Sequence, residues 1–226
     1  MTVRRFSRLK IAAAIALMLG LAGGTALASN MGFKHNHQIL GTSPGGGAYN
    51  GLNIVSLPYQ NPYTTAQDYC VAQNLPNGAQ VIRSNRAAPT SWSPQVHLCG
   101  GGGAYTLVSG ESLYVNKGSA GNLTGILVGS HVPATSITIF PKLALTPDPA
   151  YNGLNLFSVP YHTTRTDAQG ICDEFGIASG TGTIIRSTGT APVSHLCGGG
   201  GAFSLVLGEG VSINTNVQKT ATPSHF

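Results

Sequence analysis

The residues best equipped for chemistry are four cysteines and two histidines that recur in one arrangement. The cysteines are Cys70, Cys99, Cys172 and Cys197. Two of them follow a histidine by two positions, in His97-Leu-Cys99 and His195-Leu-Cys197. A thiol beside an imidazole could ligate a metal or act as a nucleophile. A closed zinc site needs four ligands, however, and neither copy offers a C-x-x-C or H-x-x-x-H partner. We therefore predict no metal site.

The duplication of these cysteines indicates how they pair. A unit that once stood alone would carry its own complete pair, which favours Cys70–Cys99 and Cys172–Cys197 among the three possible connectivities. Disulfides suit export to an oxidising compartment, and they leave no thiolate for Cys–His catalysis. The histidines beside them are then expected to be hydrogen-bonded structural residues.

Other candidate catalytic groups form no complete set. Glu111 and Glu209 are the only acids shared between the copies, whereas glycoside hydrolysis generally uses two acids at one site. Ser56 and Ser158 lie in apolar strand patterns without a G-x-S-x-G elbow. No phosphate-binding, haem-attachment or zinc-protease motif occurs. We predict a non-enzymatic protein with no catalytic residues and no cofactor.

Several aromatic residues could contact a ligand. A ring face offers flat, apolar contact to a sugar, and a phenol adds a polar handle. The candidate contact residues are Tyr59, Tyr161, Trp92 and Tyr105. Packing in the core or at a sheet edge explains the same residues, so both interpretations stay open.

An internal repeat must position all these residues. Ala48 to Tyr59 (AYNGLNIVSLPY) recurs as Ala150 to Tyr161 (AYNGLNLFSVPY), and the similarity continues through both His-Leu-Cys-Gly-Gly-Gly-Gly segments. Gly and Pro are abundant, at 31 and 13 residues, and charged residues make up only 8%. This composition excludes coiled coils and charge-rich disordered chains. We predict a mainly β protein of two tandem homologous modules, sandwich-like, each with one short helix and one disulfide.

Within a module, the pattern predicts short strands around one helix. Strands are expected at 52–59, 79–84 and 183–187, and a Thr N-cap predicts a helix beginning near Thr65. Residues 104–108 and 112–115 are expected to form a hairpin, repeated around Gly208.

The ends of the two copies are expected to differ. Copy one continues into strands at 124–128 and 135–140, whereas the polar stretch after Asn216 gives copy two no counterpart of 126–128. An unfilled sheet edge invites another strand. We expect the segment 31–40 to pair with such an edge in its own chain. The alternative is pairing with a neighbouring molecule, which would build an extracellular fibre.

The basic charge of the chain is concentrated in an export signal. Four of twelve Lys and Arg residues lie at positions 4–10, before the apolar run 11–21 and the small-residue sequence Ala26-Leu27-Ala28. This pattern predicts a signal peptide at 1–28. Its removal leaves eight basic against seven acidic side chains, so nucleic-acid binding is not expected. No apolar run is long enough for an integral membrane span. The mature modules are expected at 29–131 and 132–226.

These residues resemble secreted bacterial proteins of uncharacterised function. In such proteins a signal peptide precedes a segment like Asn30-Met-Gly-Phe-Lys34, followed by modules that open like Leu52 to Tyr59 (LNIVSLPY). The resemblance covers most of the mature chain in two copies. It implies an exported fold unit and carries no catalytic residues.

Taken together, the patterns predict a secreted or periplasmic, structural or surface-interaction protein. Its partners are expected to be a polysaccharide or cell-surface component, or further copies of the chain.

Overall fold

The computed structural model describes residues 32–43, 50–84, 94–108, 110–130, 135–143, 152–161, 163–187, 192–206 and 208–223. The expected signal peptide (1–28), the expected module boundary at 131/132 and Trp92 lie outside these ranges.

The described chain is mainly β and contains two copies of one element order, which confirms the predicted fold class. The first module consists of β1 (Phe33–Ile39), β2 (Leu52–Ser56), α1 (Ala66–Ala72), β3 (Gln80–Arg83), β4 (Gln95–Leu98), β5 (Ser112–Asn116) and β6 (Leu123–Gly129). The second module consists of β7 (Ile137–Ile139), β8 (Asn155–Ser158), α2 (Ala168–Glu174), β9 (Gly182–Arg186), β10 (Val193–Leu196), β11 (Gly210–Thr215) and β12 (Lys219–Ala221).

Each module is sandwich-like. A four-stranded antiparallel sheet, in the order β2-β5-β3-β4 or β8-β11-β9-β10, faces the helix and a two-stranded sheet, β1-β6 or β7-β12. The apolar cluster of each module draws residues from the four-stranded sheet, the helix and the two-stranded sheet. The disulfides Cys70–Cys99 and Cys172–Cys197 lie within these clusters, so the predicted pairing is confirmed.

The helices begin where local side-chain hydrogen bonds replace missing backbone partners. Thr65 caps α1 and forms a capping box with Asp68, which confirms the predicted N-cap. In the second module Asp167 is the cap, and its carboxylate accepts from the Gly170 backbone 2.8 Å away. The Asp167 carboxylate therefore takes the place of the Thr65 hydroxyl, and Gly170 stands where the first helix has Asp68.

The predicted hairpin at 104–108 and 112–115 is wrong. Residues 104–108 form only an isolated bridge, between Thr106 and Thr65, and β5 pairs with β2 and β3 instead. Backbone hydrogen bonds fasten this segment to the start of α1, from Ala66 to Tyr105 and from Leu107 to Thr64. The strands β4 and β10 were not predicted from sequence, because each has four residues with one buried side chain.

The expected difference between the copies' ends is also wrong. The strand at 135–140 does not continue copy one; its core, β7, opens the second module and pairs with β12. Thus Lys219–Ala221 supplies the strand that copy two was expected to lack. The segment 31–40 forms β1, which pairs with β6 of its own chain, as expected.

Two repeated asparagines hold these opening strands. The Asn53 amide oxygen accepts from the Leu40 backbone at 2.9 Å, and its nitrogen donates to the Leu40 carbonyl at 3.0 Å. Asn155 makes the same two bonds to Phe140, at 2.8 and 2.9 Å. β1 and β7 are therefore equivalent strands, and the second asparagine of the Y-N-G-L-N repeat serves to fasten them.

The two modules contact each other through their four-stranded sheets. Ile54, Ile82 and Tyr114 of the first module form one buried cluster with Leu156 of the second. Ser158 adds hydrogen bonds across the junction, because its hydroxyl accepts from the Leu57 backbone at 2.9 Å and donates to the Glu111 carbonyl at 2.5 Å. The junction is therefore a packed interface that Ser158 reinforces with hydrogen bonds.

Candidate functional site

Each shared glutamate is half of a largely buried ion pair, in which the arginine stays partly exposed. Glu111 receives two hydrogen bonds from Arg83, at 2.7 Å to Nε and 2.9 Å to Nη2, and Arg83 also donates to the Thr106 carbonyl at 2.6 Å. The Tyr105 ring lies 5.0 Å from the guanidinium carbon, within cation–π range. The carboxylate thus fixes the segment before β5.

The second module repeats this arrangement. Arg186 donates to Glu209 at 2.7 Å from both Nε and Nη2, and it also donates to the Ser204 carbonyl. The Phe203 ring lies 4.5 Å from the guanidinium carbon. Each of the two shared acids therefore makes the same structural contact in its own module.

Both predicted structural histidines are buried and bind a glutamine on the helix. His97 Nε2 lies 2.8 Å from Gln67 Oε1, and the same oxygen accepts from the Gly100 backbone at 3.0 Å. In the second module the corresponding distances from Gln169 Oε1 are 2.9 Å to His195 and 2.8 Å to the Gly198 backbone.

This geometry fixes which ring nitrogen donates. Gln67 Oε1 accepts from the Gly100 N–H, so it must be an oxygen, and His97 Nε2 must then be the donor. Nδ1 is buried without a partner in the described part of the chain, in His97 and in His195 alike. The adjacent cysteines are in disulfides, so the imidazoles have no thiolate to activate.

The candidate ligand-contact tyrosines occupy three different settings. Tyr59 is 6% exposed, and its hydroxyl donates to the Ser158 carbonyl at 3.1 Å, so it belongs to the junction between modules. Tyr105 lies against Arg83, and burial raises the pKa of its phenol. Tyr161 is half-buried and lines a cleft between the modules together with His35. The volume of that cleft is about 10 Å³, room for one water molecule.

One polar cluster was not predicted from sequence. His37 on β1 and Gln73, which follows α1, converge on Gly125 of β6: a Cβ there would lie 2.7 Å from His37 Nε2 and 2.4 Å from Gln73 Oε1. Both ring nitrogens of His37 and Gln73 Oε1 are buried without a hydrogen-bond partner among the described residues. Gln73 Nε2 donates to the Ile126 carbonyl at 2.9 Å and to the Tyr63 hydroxyl at 3.2 Å.

Among the described residues of the second module, apolar side chains stand where the first module has this cluster. Leu40 and Phe140 are equivalent residues of the two modules, so Ile137 is the second-module equivalent of His37. The sequence repeat makes Phe175 the equivalent of Gln73. Both second-module residues are buried core side chains. The sequence did offer one sign of this cluster, since the repeat aligns the polar Gln73 with the apolar Phe175. His37 could not be found in this way, because the sequences of β1 and β7 are too dissimilar to align.

Burial and the neighbouring His35 lower the pKa of His37 to about 4. Burial likewise lowers the pKa of His35. The inward face of β1 therefore carries two imidazoles that are neutral near pH 7.

Within the described ranges, no group of three or more His, Cys, Asp or Glu residues could hold a metal ion. In the same part of the chain, no helix has the length and apolar character needed to cross a membrane. The chain matches no protein-family model, no curated protein and no solved structure.

Proposed function

We propose that the chain is a secreted, non-enzymatic structural or surface-interaction protein. The observation that carries this proposal is the use of the polar residues that both copies share. The cysteines form disulfides, the glutamates form ion pairs with arginines, and the histidines bind helix glutamines. Each of these groups stabilises the fold of its own module. We infer that duplication copied a structural unit and not a reaction centre.

Repeated apolar residues at the surface support a contact function. Leu98 at the end of edge strand β4 is 50% exposed, and its counterpart Leu196 on β10 is 51% exposed. Val108 and Val206 are likewise 54% and 56% exposed. Because the same large apolar side chains stay exposed in both modules, we assign them to a contact surface of the protein. Duplication would then present two similar contacts to one extended partner and raise avidity.

Cell-envelope retention of the exported protein tests this function. The wild-type protein should sediment with the envelope fraction, and the double variant Leu98→Asn, Leu196→Asn should shift to the soluble fraction by roughly tenfold or more, because both contacts are lost. Val71→Asn is the matched control: Val71 is 71% exposed, but its counterpart is Asp173, so the second copy does not share it.

The control variant should be retained like the wild type. Equal retention of the control and the double variant, or a wild type that does not sediment with the envelope, would overturn the proposal.

A further inference from the structure

β1 is held to the first module by few elements. It pairs with β6 alone, and its inward residues His35, His37 and Ile39 lie opposite Leu127, Gly125 and Leu123. Ile39 is fully buried in the core cluster, and the Asn53 amide fixes the residue after the strand. The chain therefore places a histidine pair between a short strand and the core that it covers.

Among the described residues, no acidic side chain faces His37 to give an added proton a counter-charge. Gly125 on β6 presents no side chain, and the facing β6 neighbours are leucines. From the helical region come the Gln73 amide, and the Tyr63 and Tyr69 phenols, whose pKa values are raised by burial. Asp68 of α1 is exposed and occupied by the capping box. On β1 itself the neighbour is His35, which gains the same charge.

We propose that β1 is an acid-sensitive strap, in which protonation of His37 releases Phe33–Ile39 from β6 and opens the first module while β7 keeps the second module closed. Both ring nitrogens of His37 are buried without a hydrogen-bond partner among the described residues, and this makes the docked strand a poor host for an imidazolium. The undocked strand is solvated and accepts the proton freely. β7 has Ile137 at the equivalent position and no titratable group on its inward face. This inference stands apart from the proposed function.

Hydrogen exchange of the full-length mature protein at pH 7.5 and pH 4.5, corrected for intrinsic exchange rates, tests the strap. With a folded-state pKa of about 4 against 6.5 for a free imidazole, the opening equilibrium of β1 amides should rise by roughly 80-fold between the two pH values. The β7 amides in the same molecule should keep their protection.

The double variant His37→Ile, Gln73→Phe copies the second module and should remove most of the increase. An NMR titration of His37 in the wild-type protein provides an independent reading, and it should show a midpoint well below 6.5. Unchanged β1 protection at pH 4.5, equal opening of β1 and β7, or a normal His37 midpoint would overturn the proposal.

Discussion

At the scale of single residues, polar side chains inside this chain differ in whether they have a partner, and this decides how they affect stability. Glu111 is buried against the partly exposed Arg83 with matched hydrogen bonds, so each compensates for the desolvation of the other. The ring nitrogens of His37 are buried without a partner among the described residues, and the packing around the ring has to offset the cost of burying them. Paired groups fix the fold at every pH where they stay charged, whereas the unpaired imidazole makes stability depend on pH.

Removal of one member of the first ion pair should be costly. Glu111→Gln leaves the partly exposed Arg83 guanidinium without its counter-charge, and we expect a loss of about 2 kcal/mol in the free energy of unfolding. Urea denaturation measures it. The double variant Arg83→Met, Glu111→Gln should recover much of that loss, because no uncompensated charge remains; a double variant as unstable as the single would contradict this explanation.

His37 should make the first module weaker in acid. Its pKa is lower in the folded chain than in the unfolded chain, so the unfolded state binds the extra proton. Stability is then full above pH 6.5 and is lost as the pH falls toward 4, by about 3 kcal/mol in total. Denaturation midpoints at a series of pH values measure the loss, and His37→Ile should flatten the curve. A stability that rises on acidification over this range would be inconsistent with a buried neutral imidazole.

At the scale of elements, the sequence allowed some parts of each module to be predicted, but not others. The helix at Thr65 was predictable because its capping residues are local, and the disulfides followed from duplication. The pairing of β7 with β12 was not, because Lys219–Ala221 has only three residues and no buried alternation. The hairpin prediction failed since hydrogen bonds from Arg83 and from the start of α1 determine where residues 104–108 lie. Long-range partners of this kind leave no periodic signal.

The buried, repeated asparagines should contribute more to the free energy of unfolding than an exposed asparagine does. Asn155→Ala leaves the backbone N–H and carbonyl of Phe140 without their side-chain partners, and we expect a loss of about 2 kcal/mol. Asn122→Ala is the control, because that exposed side chain makes one 3.3 Å bond to Gly41, and its loss should be within about 0.5 kcal/mol. Thermal unfolding of both variants checks the difference, and similar losses would refute the fastening role.

At the scale of the whole molecule, the two modules act as one packed body with unequal halves. The junction buries apolar residues of both sheets and satisfies the polar groups around Ser158. The modules share their disulfides, ion pairs and histidine contacts, but only the first has the His37 cluster. Duplication therefore preserved the framework and left room for one copy to acquire a property that its sibling lacks.

The junction should couple the unfolding of the modules. Ser158→Ala removes one of two partners from the Leu57 N–H and from the Glu111 carbonyl, which keep a 3.2 Å bond to each other, so we expect a loss of about 1 kcal/mol and a broader transition. Ser212→Ala is the matched control, because Ser212 is equally buried and its hydroxyl has no partner among the described residues. Calorimetry distinguishes the two; an equal effect of both variants would argue against a junction role for Ser158.

The central claim is that the polar residues shared by the copies hold the fold and do not perform chemistry or recognition. Its most direct test is the double variant Gln67→Ala, Gln169→Ala, assayed both for the free energy of unfolding and for envelope retention of the folded fraction. We predict a loss of about 1 kcal/mol or more per module, since the buried imidazoles lose their acceptors, with retention of the folded protein unchanged. Unchanged stability together with lost retention would contradict the claim.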